Sequence, residues 1–552
     1  MKFLEGITPR EYQQKIFETC SENNCLVVLP TGIGKTLIAL MLTIDRLTKF
    51  PTEKVVFLAP TKPLAEQHLK TFKKYLPELF GDIQLFTGAI NANQRKKIWQ
   101  TADIILSTPQ CVANDLKKNL YNLQEVSLLI EDEAHRCMKN YDYNYVAKKY
   151  KEQAINQRIL GLTASPGSDA PKIKEICKNL SIEKVELRTR NSDDVKQYLQ
   201  ELEFEKTMVD FPPEFQEMRH VLLKLFNRYV EELRSRKVLF GPASKIGLIK
   251  LQTQMMQGIA RGNRNFNYML GVSACAQSIK IQHALELLET QTLQSFNTYL
   301  KKLFDEAAKK KSKGVVKLVV KPEFNFVYMQ SNELLAKNQE HPKLGKLVEI
   351  VREEISKDVR VNKSKSDNSV LHRVVGKFSA TKGVEDGLSD LRENPPTKII
   401  VFTQFRDSAT IIAKNLNELE GIKAKVFVGQ AKKAGTGLSQ KEQKKIIEEF
   451  SDGEINILVA TCIAEEGLDI PEVNAVIFYE PVPSAIRAIQ RSGRTARLMK
   501  GKLIILITKG TRDETFYYAS RSREKRMHKA IDSIKENLDN SGFKREEIQE
   551  KL

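Results

Sequence analysis

Two blocks of the chain repeat one rhythm: a short run that is apolar throughout, followed by a longer stretch with helical spacing of its apolar positions. In the first block the runs are CLVVLP (25–30), KVVFLAP (54–60), ADIILSTP (102–109), VSLLIEDE (126–133) and RILGLTASP (158–166). In the second they are KIIVFTQF (398–405), KAKVFVG (423–429), INILVATCI (455–463), AVIFYEP (475–481) and LIILIT (503–508). Runs that are apolar at every position, rather than at alternate ones, suit parallel strands covered by helices on both faces. The pattern predicts two α/β domains with doubly wound parallel sheets, over residues 1–195 and 339–515. The stretch between them, 196–338, has long helix-favouring segments at 214–240 and 283–314 and is expected to be an all-helical inserted domain. Residues 355–396 are polar, rich in Lys and Ser, and end in Asn394, Pro395 and Pro396, which reads as a mobile linker. The tail, 516–552, reads as a charged helix.

Charge changes the picture next. The 552 residues carry 88 Lys and Arg against 69 Asp and Glu, a formal net charge of +19, so a polyanion is the first partner to consider. A merely basic soluble protein has the same balance. The basic residues of the helical segment likewise fit either solvated helix faces or a nucleic-acid path. Seven cysteines are scattered without any Cys-x-x-Cys spacing, which speaks against a zinc or dithiol site and fits a reducing compartment. No apolar run approaches the ~18 residues of a membrane span, and the N-terminus lacks a signal core, so no membrane partner is expected.

Candidate chemistry sits at the ends of the apolar runs, where ligands bind in open α/β sheets. Pro30-Thr31-Gly32-Ile33-Gly34-Lys35-Thr36 follows one run and precedes an apolar helix, the context of a phosphate-binding loop. Its glycines let backbone amides approach phosphates, Lys35 offers charge to them, and the Thr36 hydroxyl suits Mg²⁺. The strict Walker pattern fails, because its first glycine falls on Leu29. Glu131-Asp132-Glu133-Ala134-His135 ends another run, and charged groups seldom end a buried strand without a task. Asp132 would hold Mg²⁺ and Glu133 would orient and deprotonate the attacking water. Gln490-Arg491-Ser492-Gly493-Arg494-Thr495-Ala496-Arg497 has no acidic neighbour in sequence; its arginines fit a finger that stabilises a transferred phosphoryl group, a DNA-phosphate patch, or a surface helix.

In order along the chain, PTGIGKT, APTKPLAEQH (59–68), STPQ (107–110), DEAH, TAS (163–165), VFTQFR (401–406), ATCIAEEGLDIP (460–471) and QRSGRTAR resemble motifs I, Ia, Ib, II, III, IV, V and VI of superfamily-2 helicases. The helical insertion, HPKL (341–344) and VFTQFRD resemble the archaeal Hef, Fanconi anaemia M and yeast Mph branch, whose members act on forked DNA. The resemblance implies two RecA-like domains, ATP and Mg²⁺ as cofactors, forked, branched or single-stranded DNA as substrate, repair or replication factors as partners, and an archaeal-type cytosol with nucleoid association. It implies that Arg10 and Gln13 read adenine, that Thr31, Gly32, Ile33, Gly34, Lys35 and Thr36 hold the triphosphate, and that Gly467 and Asp469 sense nucleotide and ribose. Gln490 joins the hydrolytic water, and Arg494 and Arg497 are the fingers. Thr61, Lys62, Gly88, Thr108, Thr403, Gln404 and Thr461 touch a strand backbone, and His135, Thr163 and Ser165 couple the two sites. The Glu-Arg-Lys signature of the Hef nuclease is absent from these residues, so no nuclease activity is expected. An RNA-directed ATPase and a non-catalytic nucleic-acid clamp are the competing readings.

Overall fold

Each apolar run of the first block becomes a buried parallel strand, and strands the pattern passed over complete the sheet. In the computed structural model, which describes residues 4–262, 265–356, 397–429, 437–464, 470–495 and 500–549 (backbone alone over 541–549), the first lobe has seven strands. They are β1 (Cys25–Val28), β2 (Lys54–Leu58), β3 (Ile83–Phe86), β4 (Ile104–Ser107), β5 (Val126–Asp132), β6 (Ile159–Thr163) and β7 (Lys184–Leu187). Their order is β3-β4-β2-β5-β6-β1-β7, and every pairing is parallel. The two strands the sequence pattern missed, β3 and β7, lie at the edges, where one side faces solvent and uniform apolarity is not required.

The second sheet holds β8 (Leu202–Val209), β9 (Ile399–Phe402), β10 (Ala424–Phe427), β11 (Ile457–Ala460), β12 (Ala475–Phe478) and β13 (Gly501–Thr508), ordered β10-β11-β9-β12-β13-β8 and all parallel. Strand β8 falls inside the range expected to be helical. It pairs with β13 along all eight residues, so the chain enters the second sheet before it builds the helical bundle. LEFEKTMV escapes an apolar-run criterion because it is an edge strand with exposed Glu203 and Phe204.

The bundle follows as helices Pro213–Ser235, Lys245–Ala260, Phe266–Thr290, Leu293–Ala308, Lys313–Val319 and Pro322–Ala336. It has its own core, including Leu222, Ile281, Leu285, Phe296 and Phe324. Residues 357–396, read as a linker, lie outside the described residues.

The tail is not a separate element. Helix Arg512–Gln549 starts on the second sheet, where Asp513 forms a fully buried ion pair with Lys343. It then crosses to the first lobe and buries Met527, Ile531 and Ile534 in that lobe's core. It is the charged helix the sequence suggests, and its docking residues fall at i, i+4 and i+7, one narrow apolar stripe on an otherwise charged surface.

Candidate active site between two lobes

The phosphate loop leaves β1 and enters helix Lys35–Lys49 through two left-handed glycines, Gly32 at φ +84° and Gly34 at φ +87°. A side chain at Gly34 is excluded twice, by that dihedral and by Gln13 Nε2, which a Cβ would meet at 2.1 Å. The turn aims the first amides of a fifteen-residue helix outward, where they attract an anion. Lys35 Nζ donates to Leu29 O at 3.3 Å, a long contact that a phosphate oxygen would replace.

The loop is held from beneath. Tyr12 Oη donates to Ile33 O at 2.6 Å, and Gln13 Nε2 donates to the same carbonyl at 3.3 Å. Gln13 Oε1 accepts from Arg10 N at 2.8 Å, and Arg10 lies over the Tyr198 ring at 4.9 Å. Gln13 is 3% exposed and both ends of its amide are engaged, so it braces the phosphate loop. Tyr12 was not singled out in the sequence; its place beside Gln13 in REYQ was the available signal.

At the end of β5 the acidic run divides into three environments. Glu131 is fully buried, and burial pushes its carboxyl up to about 8. Asp132 is buried too, yet its carboxyl lies below the usual range: the cost of burial is outweighed by the hydrogen bond from His68 Nε2 at 2.9 Å and by the nearby charge of Lys35. Tyr143 Oη donates to Asp132 O at 2.6 Å and fixes its backbone. Glu133 sits in the left-handed region at φ +52°, ψ +46°, a conformation that costs a non-glycine residue about 1 kcal/mol or more. His135 Nδ1 stands 3.3 Å from Glu133 Oε2 and 3.2 Å from Thr163 Oγ1. Thr163 in turn accepts from Ser165 N at 3.1 Å, and Ser165 Oγ lies 2.8 Å from Met527 Sδ. His135, Thr163 and Ser165 are thus one chain of contacts.

The second lobe closes onto this site. Thr31 Oγ1 donates to Gly493 O at 3.2 Å across 462 positions of sequence. A Cβ on Gly493 would meet Thr31 Oγ1 at 1.6 Å, so glycine is what lets the lobes approach. Gln490 and Arg491 are buried on helix Ala485–Ser492, with Arg491 over the rings of Phe402 and Phe478 at 4.9 and 5.5 Å, and Arg494 follows one residue after the contact. Arg491 therefore packs its own lobe. Gly467, Asp469 and Arg497 lie outside the described residues.

The expected strand contacts divide between the lobes. Strands β3, β4 and β2 are neighbours, so the loops after them bring Gly88, Thr108 and the Thr61-Lys62 pair to one rim. Gly88 is exposed, and Thr61 and Thr108 cap the N-termini of helices Lys62–Tyr75 and Pro109–Lys117 without using their hydroxyls as caps. Thr403 does not follow the expectation: it is fully buried, and its hydroxyl lies 3.1 Å from Gln291 Oε1 and 3.2 Å from Glu480 Oε2. Thr461 is 5% exposed and its amide is spent on Phe427 O. Both residues follow strands inside the sheet, and the helical bundle reaches Thr403 through Gln291; Gln404 is exposed.

A phosphate loop and acidic strand end on one parallel-sheet lobe, touched by a buried arginine segment of a second, define an ATP-dependent helicase of superfamily 2. Family models agree: DEAD/DEAH box helicase over residues 10–173, helicase conserved C-terminal domain over 383–499, and an ATP-dependent RNA helicase helical bundle over 214–335. The crystal structure of the Pyrococcus furiosus Hef helicase domain is 40% identical, with a TM-score of 0.67, over 93% of this chain and 98% of that one. The chain belongs to the Hef, Fanconi anaemia M and Mph helicase family. A Methanocaldococcus jannaschii protein named an ATP-dependent RNA helicase is 38% identical over 95% of this chain and 61% of its own length. The Fanconi anemia group M protein homolog of Mus musculus is 31% identical over 96% of this chain and 26% of its own, and the ATP-dependent DNA helicase mph1 of Neurospora crassa is 33% identical over 92% and 41%. The chain thus spans less than two thirds of the length of each of these last three proteins. Among the described residues no helix is long and apolar enough to cross a membrane.

Proposed function

We propose that the chain is an ATP-driven translocase of forked or branched DNA. The observation that carries the motor reading is the Thr31 to Gly493 contact, because it brings the arginine-bearing segment of one lobe onto the phosphate loop of the other. Thr31 to Thr36 would grip the triphosphate, and Thr36 with Asp132 would hold Mg²⁺, which neutralises charge on the β and γ oxygens. The donor set fits: left-handed glycines free the loop amides, and Asp132 is held ionised beside Lys35. Glu133 orients and deprotonates water, Gln490 completes the water network, and Arg494 and Arg497 meet the charge that builds on the γ-phosphate, a contribution of about 10³–10⁵ in rate. His135 connects Glu133 to Thr163 and so links hydrolysis to the strand-binding rim.

DNA as substrate draws on the relatives named for Fanconi anemia group M and mph1. The helical bundle offers a surface for a duplex arm: Lys309, Lys310, Lys311, Lys313, Lys317 and Lys321 fall in the one short stretch 309–321 and form no ion pair among the described residues. RNA is the rival, since another relative and the bundle model carry RNA helicase names. Lys35→Ala and Glu133→Gln should each abolish turnover and leave DNA binding largely intact. ATPase rates with forked DNA, single-stranded DNA and duplex RNA separate the substrates; stimulation by duplex RNA alone would overturn the DNA reading.

A further inference from the structure

The Asp132 carboxylate has a partner that the phosphate-loop chemistry does not require. His68 lies on helix Lys62–Tyr75, and its Nε2 is 2.9 Å from Asp132 Oδ2, with the two side chains only 8% and 7% exposed. An ionised carboxylate only accepts hydrogen bonds, so Nε2 is the donor. The opposite ring nitrogen, Nδ1, is buried with no hydrogen-bond partner among the described residues. The imidazole therefore directs its one hydrogen bond at Asp132. Its plane is set by packing: the buried Phe57 ring lies 4.4 Å away at 40°, and Phe57 is itself braced edge-on by Phe72 at 5.7 Å. A histidine serving only to fill the core has no need of this geometry. Leu or Met would pack against Phe57 without placing a polar atom beside a buried acid.

We infer that His68 is a positioning residue for the metal-holding carboxylate: its hydrogen bond to Oδ2 sets the orientation in which Asp132 would meet the ion. The carboxylate also accepts from the Glu133 backbone N–H, so His68 is the side-chain donor of the pair that orients it. Tyr143 fixes the backbone of Asp132 and His68 fixes its side chain, so both ends are set before nucleotide arrives. This role rests on the ATP and Mg²⁺ reading above.

The test is a Mn²⁺ titration of the full chain with a non-hydrolysable ATP analogue, followed by electron paramagnetic resonance, which reads metal binding without turnover. His68→Leu should weaken Mn²⁺ binding about 10–100-fold, the usual effect of losing such an outer partner. Nucleotide affinity without metal should stay unchanged. His68→Gln, whose amide nitrogen reaches the same point, should bind within about threefold of the unaltered chain, a small fraction of that loss. If His68→Leu does not fold, His68→Asn, too short to reach Asp132, should show the same loss. Wild-type Mn²⁺ affinity in the Leu or Asn variant overturns the inference, as does an equal loss in the Gln variant. An unaltered chain that takes up no Mn²⁺ with the analogue overturns the ATP reading and this inference with it.

Discussion

Glu131, Asp132 and Glu133 are consecutive and chemically alike, yet the fold places them in three different surroundings. Asp132 is kept ionised by His68 and Lys35; Glu133 is turned by a left-handed backbone toward His135; Glu131 is buried on the other side of the strand, where its carboxyl is pushed up to about 8. Alternation along β5 separates Glu131 from Asp132, and the end of the strand separates Asp132 from Glu133. The shift at Glu131 has a consequence for stability. The native state keeps a proton that the unfolded chain releases near the ordinary value of 4.5, so stability falls as pH rises from there to about 8 and then levels off. Glu131→Gln has no proton to release. Urea midpoints at about pH 5 and about pH 8 should therefore fall less in this variant than in the parent, and parallel curves would show that Glu131 is not the group responsible.

The C-terminal helix joins the lobes as an element. It is anchored at one end by the buried Lys343–Asp513 pair and at the other by Met527, Ile531 and Ile534 in the first lobe's core. Met527 is 1% exposed and also meets the Ser165 hydroxyl, so it serves both packing and the chain of contacts from His135 through Thr163. Met527→Ala leaves a cavity in the core and should cost about 2–5 kcal/mol, measured as a lower denaturation midpoint. The same variant should lose nucleic-acid stimulation of ATPase before it loses basal activity. A fully stable Met527→Ala protein would show that the helix only lies on the first lobe.

Closure of the lobes is a property of the whole molecule, and it turns on one missing methyl group. Gly493 sits so near Thr31 that a Cβ would collide at 1.6 Å, with the Thr31 Cβ at 3.0 Å. Gly493 caps its helix at φ −71°, ψ +6°, outside the left-handed region, so alanine there meets no positive-φ strain. Gly493→Ala should therefore leave unfolding unchanged while holding the lobes apart. ATPase should fall at least about tenfold, equal to about 1.4 kcal/mol of lost transition-state stabilisation. Unchanged turnover in a stable Gly493→Ala protein would mean that the contact is not on the reaction path.

The phosphate loop, the acidic strand end and the arginine segment were legible because each is a short contiguous pattern whose chemistry is complete within a few residues. The buried strands were legible for a related reason: a strand covered on both faces is apolar at every position. Edge strands such as β8 obey no such rule, so its place in the second sheet, eight residues beside β13, emerged only from the fold. Tertiary structure alone decided which like residues are covered and by what. Thr61 and Thr108 are half-buried at helix N-termini while Thr403 is fully buried against Gln291, although all three end strands. It also decided the pairs His68 with Asp132, Met527 with Ser165 and Thr31 with Gly493, 64, 362 and 462 positions apart. Local pattern fixes what a segment can form because its hydrogen bonds and side-chain faces repeat over a few residues; which distant group completes a site depends on how the segments pack, and no local period records that.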